Sequence, residues 1–322
     1  MEARATVIVP TFGQALFAQW AVKSVQNQRI KDIEICIICD GSPESMVTFF
    51  KKTAQEDPRI KVFTFPKSPR TGEPYRDLVI KQTTGKIICY CSHDDLWLPN
   101  HLQEIEEALK KCRFAHSLHA VVNLPDKVRA EQRLFDGSYF KNIKDHNTYK
   151  NMFRGINFFG LTFGAHTRDS YFKLEEGWVT TPRENATTDL YMWCKFLAAF
   201  PDECKTIMKI TALSFPYKPR KEWSEQQRDD ELKYYFERIQ DPDFMKTISN
   251  YLLRFKIKKF IPKRLKRYGR WPPLHLALQA IKRTMDRLDR GRRKRNEEGT
   301  RRGLEWKGGE TIKSEPSVST KP

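Results

Sequence analysis

The sequence predicts an α/β protein with a doubly wound, mostly parallel, Rossmann-like sheet and a helical, basic C-terminal extension. Two observations support this prediction. Apolar runs of strand length alternate with amphipathic segments over residues 6–91, and such alternation is typical of parallel sheets with right-handed crossovers. Charge is the second observation: of the net charge of +18, +15 falls in residues 251–322. A nearly neutral globular part therefore precedes a basic tail.

Four strands and three helices are predicted, in alternation, in the first part of the chain. The strands are apolar runs, mostly continuous, as is typical of parallel strands that are buried on both faces. They cover residues 6–10, 33–39, 60–64 and 87–91. Apolar residues at helical spacing predict helices over residues 16–25, 46–53 and 75–83. Ligands on such sheets bind outside the carboxyl ends of the strands, so the residues after each strand are candidates for a site.

The remaining elements are predicted from weaker patterns. They are a helix at 98–112, a strand at 116–124, a polar, loop-rich stretch at 125–155, a strand at 158–165 and a helix at 188–200. Residues 222–251 are rich in charge and are expected to be helical, with a break near Pro242. The predicted parts are a globular domain over 1–215, a helical basic extension over 216–290 and a disordered tail over 291–322.

Two adjacent carboxylates follow the fourth predicted strand. Asp94 and Asp95 belong to the sequence Ser-His-Asp-Asp-Leu-Trp-Leu-Pro at 92–99, and Asp40 follows the second strand. Carboxylates at the end of a buried strand are desolvated unless a cation binds them, and divalent cations that also bind phosphate are common partners. The pair is equally typical of a helix N-cap beside a surface acid. Its spacing alone leaves both interpretations open.

The cysteines and the hydropathy pattern limit the class of protein. The seven cysteines, four of them in strand-like runs, are expected to be reduced and buried. Cys36 and Cys39 would point to opposite faces of a strand, and no second Cys or His pair stands at zinc spacing, so zinc is not predicted. No apolar run is long enough to cross a bilayer and no signal peptide is visible. We therefore expect a cytoplasmic location.

Four motifs occur in a recognisable order. They are Thr-Val-Ile-Val-Pro-Thr-Phe-Gly at 6–13, Ile-Cys-Ile-Ile-Cys-Asp-Gly-Ser at 35–42, Arg-Asp-Leu-Val-Ile-Lys-Gln-Thr-Thr-Gly-Lys at 76–86 and Ser-His-Asp-Asp-Leu-Trp-Leu-Pro at 92–99. Together they resemble the nucleotide loop, the acid-Gly-Ser strand end, the Arg-Asn helix and the Asp-x-Asp-Asp-x-Trp-x-Pro motif of family 2 glycosyltransferases. The resemblance covers roughly residues 4–215 and implies the GT-A fold.

The resemblance implies transfer of a sugar from a UDP- or GDP-linked donor to an acceptor hydroxyl, usually with inversion, in cell-surface polysaccharide or glycolipid synthesis. Asp94 matches the acid expected to ligate the Mg²⁺ or Mn²⁺ cofactor, which neutralises the leaving diphosphate. The residues that match the family's nucleotide-sugar site are Pro10, Thr11, Asp40, Arg76, His93 and Asp94.

Inverting transfer needs a general base, which the family places in an acid cluster at the start of a late helix. The matching segment is 183–193, where Asp189 is the predicted base, with helix capping as its alternative role, and Glu184 is the second candidate.

Asp95 is expected to support the start of the helix at 98–112. Ser92 stands where the family has the first acid of its motif, so one metal ligand is lost. An inactive homologue that binds donor is therefore an alternative.

The basic tail indicates a further partner. Residues 252–268 interleave apolar residues with lysines and arginines, as is typical of a segment on an anionic membrane surface. A second apolar stripe fits docking on the catalytic domain, pairing with another chain or contact with a bilayer. It consists of Leu274, Leu278, Ile281, Met285 and Leu288. The predicted partners are a nucleotide-sugar donor, a saccharide or lipid-linked acceptor and the inner membrane face. Nucleic-acid binding through the tail is the competing interpretation.

Overall fold

A computed structural model of the protein describes residues 3–124, 135–136, 140–182 and 187–260. The chain forms one compact unit, Met1–Leu253, and a second unit, Arg254–Pro322, of which the helical backbone of residues 254–260 is described. The predicted stripe at 274–288, the predicted tail at 291–322 and Glu184 lie outside the described residues.

Among the described residues, nine strands form one sheet, with the order β3-β2-β1-β4-β8-β6-β9-β5 and with β7 paired to β6. The strands are β1 Ala5–Thr11, β2 Ile33–Asp40, β3 Ile60–Phe65, β4 Ile87–Tyr90, β5 Leu96–Trp97, β6 Phe114–Val122, β7 Phe135–Asp136, β8 Gly164–Thr167 and β9 Cys204–Ser214. The parallel ladders, β1 with β2 and β4, β2 with β3, and β6 with β9, are longer than the antiparallel ones. The predicted mostly parallel α/β sheet is confirmed.

Helices connect the strands and extend beyond them. They are α1 Ala18–Gln26, α2 Glu44–Glu56, α3 Glu73–Lys81, α4 His101–Leu109, α5 His146–Phe153, α6 Arg168–Phe172, α7 Thr188–Ala199, α8 Glu225–Arg238 and α9 Pro242–Phe260. Short 3₁₀ turns occur at Leu161–Phe163 and Lys218–Arg220. The helices predicted between the first four strands, and those near 98–112 and 188–200, are confirmed to within a few residues.

Strand β1 lies between two parallel neighbours. It pairs with β2, where Thr11 lies opposite Cys39, and with β4, where Ile8 lies opposite Tyr90. All residues of β2 and β4 are buried. The four predicted strands are confirmed. Their mostly continuous apolar sequences fit a parallel sheet that is covered on both faces.

Two predictions for the second half of the sheet were wrong in part. The strand expected at 158–165 is instead a 3₁₀ turn, Leu161–Phe163, followed by β8, Gly164–Thr167. Trp193 packs closely against the first residue of β8, since a Cβ on Gly164 would lie 2.6 Å from its ring. The stretch expected to be loop-rich contains α5.

The 11-residue strand β9, Cys204–Ser214, was not predicted. Its alternation is broken because two consecutive exposed residues, Met208 and Lys209, lie at an irregularity in the ladder with β6. Such a bulge removes the period of two by which a strand is recognised. β9 pairs with β6 and β5 and completes the second half of the sheet.

Helix α8 packs on the sheet domain. The break near Pro242 is confirmed, since α8 ends at Arg238 and α9 begins at Pro242. Asp229 of α8 accepts hydrogen bonds from Trp20 Nε1 at 2.8 Å and from Gln19 Nε2 at 3.0 Å. The compact unit thus includes α8, and the proposed division of domains at residue 215 stays a prediction.

Within the described part of the chain, no helix is both long enough and apolar enough to span a bilayer. All seven cysteines are free, and six are buried, as expected. Cys194 is partly exposed.

Glu34, buried at the start of β2, joins three segments of the sheet. Its Oε1 accepts hydrogen bonds from Thr6 Oγ1 at 2.9 Å, Thr84 N at 2.7 Å and Gly85 N at 2.9 Å. Its Oε2 pairs with Lys61 Nζ at 2.7 Å. Burial raises the pKa of Glu34, but these contacts outweigh it and lower the pKa to about 2. Glu34 therefore holds the turn that leads into β4.

We expect Glu34→Gln to weaken this turn and the acid stability of the fold. The folded pKa of about 2 lies below the ordinary value of 4.5, so the carboxylate stabilises the fold above pH 4.5 and this contribution is lost as the pH falls toward 2. The variant should lose on the order of 3 kcal/mol of unfolding free energy at neutral pH. Urea unfolding across this pH range measures both effects. Glu56→Gln, at an exposed site, is the control; equal acid dependence in wild type and Glu34→Gln would contradict the expectation.

Candidate functional site

The carboxyl ends of β1, β2 and β4 meet at one edge of the sheet because the three strands are parallel. Thr11, the last residue of β1, donates from Oγ1 to Ile38 O at 3.2 Å and lies 3.5 Å from Ser42 Oγ. The next residue, Phe12, contacts the ring of His93, with centroids 5.0 Å apart. The end of β1 therefore lies between the turn after β2 and the turn after β4.

Asp40, at the end of β2, is buried beneath the loop of residues 66–72. Its carboxylate accepts a hydrogen bond from Lys67 Nζ at 2.8 Å and two from Ser68, from the backbone N and from Oγ. Gly72 brings the loop close with a φ of +73°, and a Cβ there would lie 3.2 Å from Asp40 Oδ2. The charge of Asp40 is thus desolvated and compensated by its own chain.

Arg76, on α3, is a buried cation that is only partly satisfied. Its Nη2 donates to Thr71 O at 2.7 Å, and its guanidinium lies 4.8 Å from the centre of the Trp178 ring. Within the described structure, Nε and Nη1 have no hydrogen-bond partner. Burial lowers the pKa of Arg76, and the charges of Glu73 and Asp189 oppose this. A buried guanidinium with two open N–H groups is suited to an anionic ligand.

Asp189 lies in the first turn of α7, close to the same loop. Its Oδ2 accepts a hydrogen bond from Asn157 Nδ2 at 3.1 Å. The neighbouring Thr188 Oγ1 is 3.4 Å from Thr71 Oγ1, which places the start of α7 against the loop that also contacts Arg76. Burial raises the pKa of Asp189, while the hydrogen bonds and the charge of Arg76 act against this rise. Asp40, Arg76 and Asp189 thus form one group.

Asp94 belongs to a second group, after β4. Its Oδ1 accepts a hydrogen bond from Ser92 Oγ at 2.6 Å, and its Oδ2 lies 4.0 Å from Arg228 Nη2 of α8. His93 lies between the rings of Phe12 and Phe17, and burial lowers its pKa against the opposing charge of Asp94. The imidazole is therefore held neutral beside the carboxylate.

Asp95 does not support a helix, and this prediction was wrong. Its Oδ1 accepts a hydrogen bond from Phe215 N at 3.1 Å, and its Oδ2 accepts one from Thr162 Oγ1. The nearest helix, α4, begins at His101, and Asn100 is the residue before it. Burial raises the pKa of Asp95, and the charge of Asp94 adds to this. Asp95 thus ties the turn after β4 to the end of β9, and neither acid of the pair caps α4.

The sequence did not indicate several residues that the fold brings to this edge. They are Lys67, Asn157, Thr162 and Arg228. Each is polar or charged, but its partner is far away in the chain, so no local spacing marks it. A capping box, in which Ser224 and Gln227 bond to each other's backbone, was the one visible signal near Arg228.

The donor set around Asp94 limits how a divalent cation would bind. Within the described residues, no three His, Cys, Asp or Glu side chains are grouped as metal ligands. One oxygen of Asp94 accepts from Ser92, which leaves Oδ2 as the ligand atom. Magnesium is commonly held by one or two carboxylates together with substrate phosphates. The residues fit an ion shared between Asp94 and a bound phosphate.

A sequence model of the family described as Glycosyl transferase family 2 matches residues 6–172, more than half of the chain. A Campylobacter jejuni GalNAc(5)-diNAcBac-PP-undecaprenol beta-1,3-glucosyltransferase is 28% identical over 111 residues, which cover 34% of this chain and 36% of the relative. An Escherichia coli UDP-Glc:alpha-D-GlcNAc-diphosphoundecaprenol beta-1,3-glucosyltransferase is 25% identical over 142 residues, which cover 42% and 55%. The chain thus spans less than two thirds of the length of these relatives.

Solved structures show the same fold. Staphylococcus aureus TarS 1–349 in complex with UDP-GlcNAc superposes with a TM-score of 0.51 at 13% identity, covering 66% of this chain and 58% of the TarS 1–349 chain. The complex of the same protein with UDP gives a TM-score of 0.51 at 12% identity, covering 87% and 80%. At this identity the likeness concerns the fold alone.

Substitution of two glycines tests how tightly the loop presses on the Asp40 turn. Gly41 and Gly13 have φ values of +68° and +61°, but a Cβ on Gly41 would lie 2.5 Å from Lys67 Cβ, whereas nothing lies within 4 Å at Gly13. We expect Gly13→Ala to lose about 1–2 kcal/mol of unfolding free energy from backbone conformation, and Gly41→Ala to lose about 1–3 kcal/mol more from overpacking. Urea unfolding measures both losses. Equal losses would show that the loop does not press on the turn.

Proposed function

This chain belongs to glycosyl transferase family 2, has a GT-A type fold and is a glycosyltransferase. We therefore propose that it takes its sugar from a UDP- or GDP-linked donor. The sugar passes to an acceptor hydroxyl, with inversion at the anomeric carbon. The observation that carries this proposal is the grouping of Asp40, Arg76 and Asp189 at the edge where Asp94 also lies. This edge carries acidic side chains together with an arginine whose N–H groups lack partners, and such a guanidinium suits the oxygens of a nucleotide diphosphate.

The nucleotide is proposed to bind along the end of β1. Asp40 accepts a hydrogen bond from the base or the ribose, beside the backbone of Pro10 and Thr11. Arg76 directs its unpartnered N–H groups at the oxygens of the donor. The neutral His93 lines the cleft between the nucleotide and Asp94. These roles use the hydrogen-bonding groups that the described structure leaves open, together with the carboxylate of Asp40.

Asp189 is proposed as the general base. As the acceptor oxygen forms its bond to the anomeric carbon, the hydroxyl proton passes to the Asp189 carboxylate, and the bond from carbon to diphosphate breaks. The contact from Asn157 Nδ2 orients the carboxylate. Its raised pKa makes it a stronger base than an ordinary aspartate. Glu184, outside the described residues, stays the second candidate.

Asp94 is proposed to hold Mg²⁺ or Mn²⁺ together with the donor diphosphate. An ion bound there would neutralise the negative charge that the leaving diphosphate gains. Asp94 Oδ2 would contact the ion while Ser92 holds Oδ1 in place.

The acceptor is proposed to be a saccharide or lipid-linked saccharide in polysaccharide or glycolipid synthesis. Two relatives are named for acceptors on undecaprenol diphosphate, which supports this class. We further propose that the protein is cytoplasmic and binds the inner membrane face through the basic residues 252–268. No observation in the described structure favours nucleic-acid binding.

We expect Asp189→Asn to lower the rate of sugar transfer by about 10²–10⁴-fold while donor affinity changes little, because the base acts on the acceptor. Release of UDP or GDP from a panel of nucleotide sugars, with a lipid-linked saccharide extract as acceptor, measures this rate. The wild-type rate should fall as the pH drops through the raised pKa of Asp189. Asp32→Asn, exposed at the opposite edge of the sheet, is the control.

Two outcomes would contradict this assignment. An Asp189→Asn rate close to that of wild type would remove Asp189 as the base. If wild type released no nucleotide from any donor, the chain would be a homologue without turnover.

The membrane proposal predicts flotation of the full chain with vesicles that contain anionic lipid. Neutral vesicles, or high salt, should abolish flotation because the attraction is electrostatic. Replacement of the lysines and arginines of 252–268 by Gln should have the same effect. Equal binding to neutral and anionic vesicles would contradict the proposal, as would a preference for oligonucleotides over anionic vesicles.

A further inference from the structure

Arg228 of α8 is a second buried cation at this edge. Its side chain is 5% exposed, and Nε and Nη2 have no hydrogen-bond partner in the described structure. Its guanidinium lies 4.8 Å from the centre of the Phe17 ring. Among the described residues, the carboxylate oxygen within 4.0 Å of the guanidinium is Asp94 Oδ2, and its distance of 4.0 Å from Nη2 is too long for a hydrogen bond. Two donors of a buried guanidinium are thus open beside the carboxylate proposed to hold the metal.

Arg228 is held in place by contacts of its neighbours. Asp229 accepts hydrogen bonds from Trp20 and Gln19 of α1, and Leu232 is fully buried. The capping box at Ser224 begins the helix one turn earlier. The position of the guanidinium is therefore set by the docking of α8 on α1 and does not depend on the long contact with Asp94.

A purely structural role does not explain this residue. Burial of a charge is costly unless hydrogen bonds and a close counter-ion compensate for it, so the removal of an uncompensated buried charge need not destabilise the fold. Here the counter-ion is distant and is also bound by Ser92. An arrangement of this kind is completed by an anion with several oxygens.

We propose that Arg228 is a resident cation for the diphosphate of the donor, so that donor binding persists in part without a divalent ion. The inference rests on the proposed function. A diphosphate carries more negative charge than one carboxylate and presents paired oxygens to the planar guanidinium, so it displaces Asp94 as the partner of Arg228. Ser92 stands where the family's Asp-x-Asp-Asp motif has its first acid, so it provides no charge for a metal. Arg228 therefore provides part of the charge neutralisation that a metal otherwise supplies. Arg228 lies outside the segment matched by the family.

Calorimetric titration of the full chain with UDP and with GDP tests this inference, in EDTA and in Mn²⁺. We expect wild type to bind one of them in EDTA, Arg228→Gln to bind it about tenfold or more weakly, and Arg228→Lys to fall between the two. Lys233→Gln, the same change of charge at an exposed site of α8, should bind like wild type. Arg228→Gln should melt at or above the wild-type temperature, which a structural role would not allow.

The outcomes separate this inference from the proposed function. If wild type binds nucleotide in Mn²⁺, and Arg228→Gln binds it with the same affinity as wild type both in Mn²⁺ and in EDTA, the inference fails and the proposed function stands. A lower melting temperature of Arg228→Gln with unchanged affinity would assign Arg228 a structural ion pair and would also overturn the inference. If wild type binds neither nucleotide under any condition, both fail.

Discussion

The structure depends on the parallel pairing of β1 with β2 on one side and with β4 on the other. This pairing places three carboxyl ends side by side, so that Thr11, Asp40 and the turn of residues 92–95 share one edge. Glu34 reinforces it at the opposite edge by joining β1, β3 and the turn before β4. The core thereby determines which polar groups meet at the site.

Charge is distributed unevenly along this edge. The buried acids are satisfied by the protein itself: Asp40 by Lys67 and Ser68, and Asp95 by Thr162 and the backbone of β9's end. The buried arginines, Arg76 and Arg228, each keep two nitrogens without a hydrogen-bond partner in the described structure. Unpaired buried donors are costly, so a site that keeps them is suited to an anion that arrives from outside. A nucleotide diphosphate, the proposed donor group, has that chemistry.

The first half of the fold and the acids at its edge could be predicted from the sequence, because buried parallel strands leave continuous apolar runs and Asp40 and Asp94 follow them directly. The second half was harder to predict, since the bulge in β9 removes the alternation of a strand. Contacts across the chain left no local signal: Thr162 is 67 residues from Asp95, and Arg228 reaches Asp94 only because α8 docks on α1. The sequence predicts Arg228 only as part of a basic extension, because its burial depends on tertiary packing that spacing does not encode.

The most direct test is a crystal structure of the full chain with UDP or GDP and Mn²⁺. We expect the base or ribose beside Asp40 and the end of β1, with the diphosphate between Asp94 and the two arginines. The loop that covers Asp40 should also rearrange its Lys67 and Ser68 contacts. A nucleotide bound away from this edge, with both guanidinium groups still open, would contradict the account.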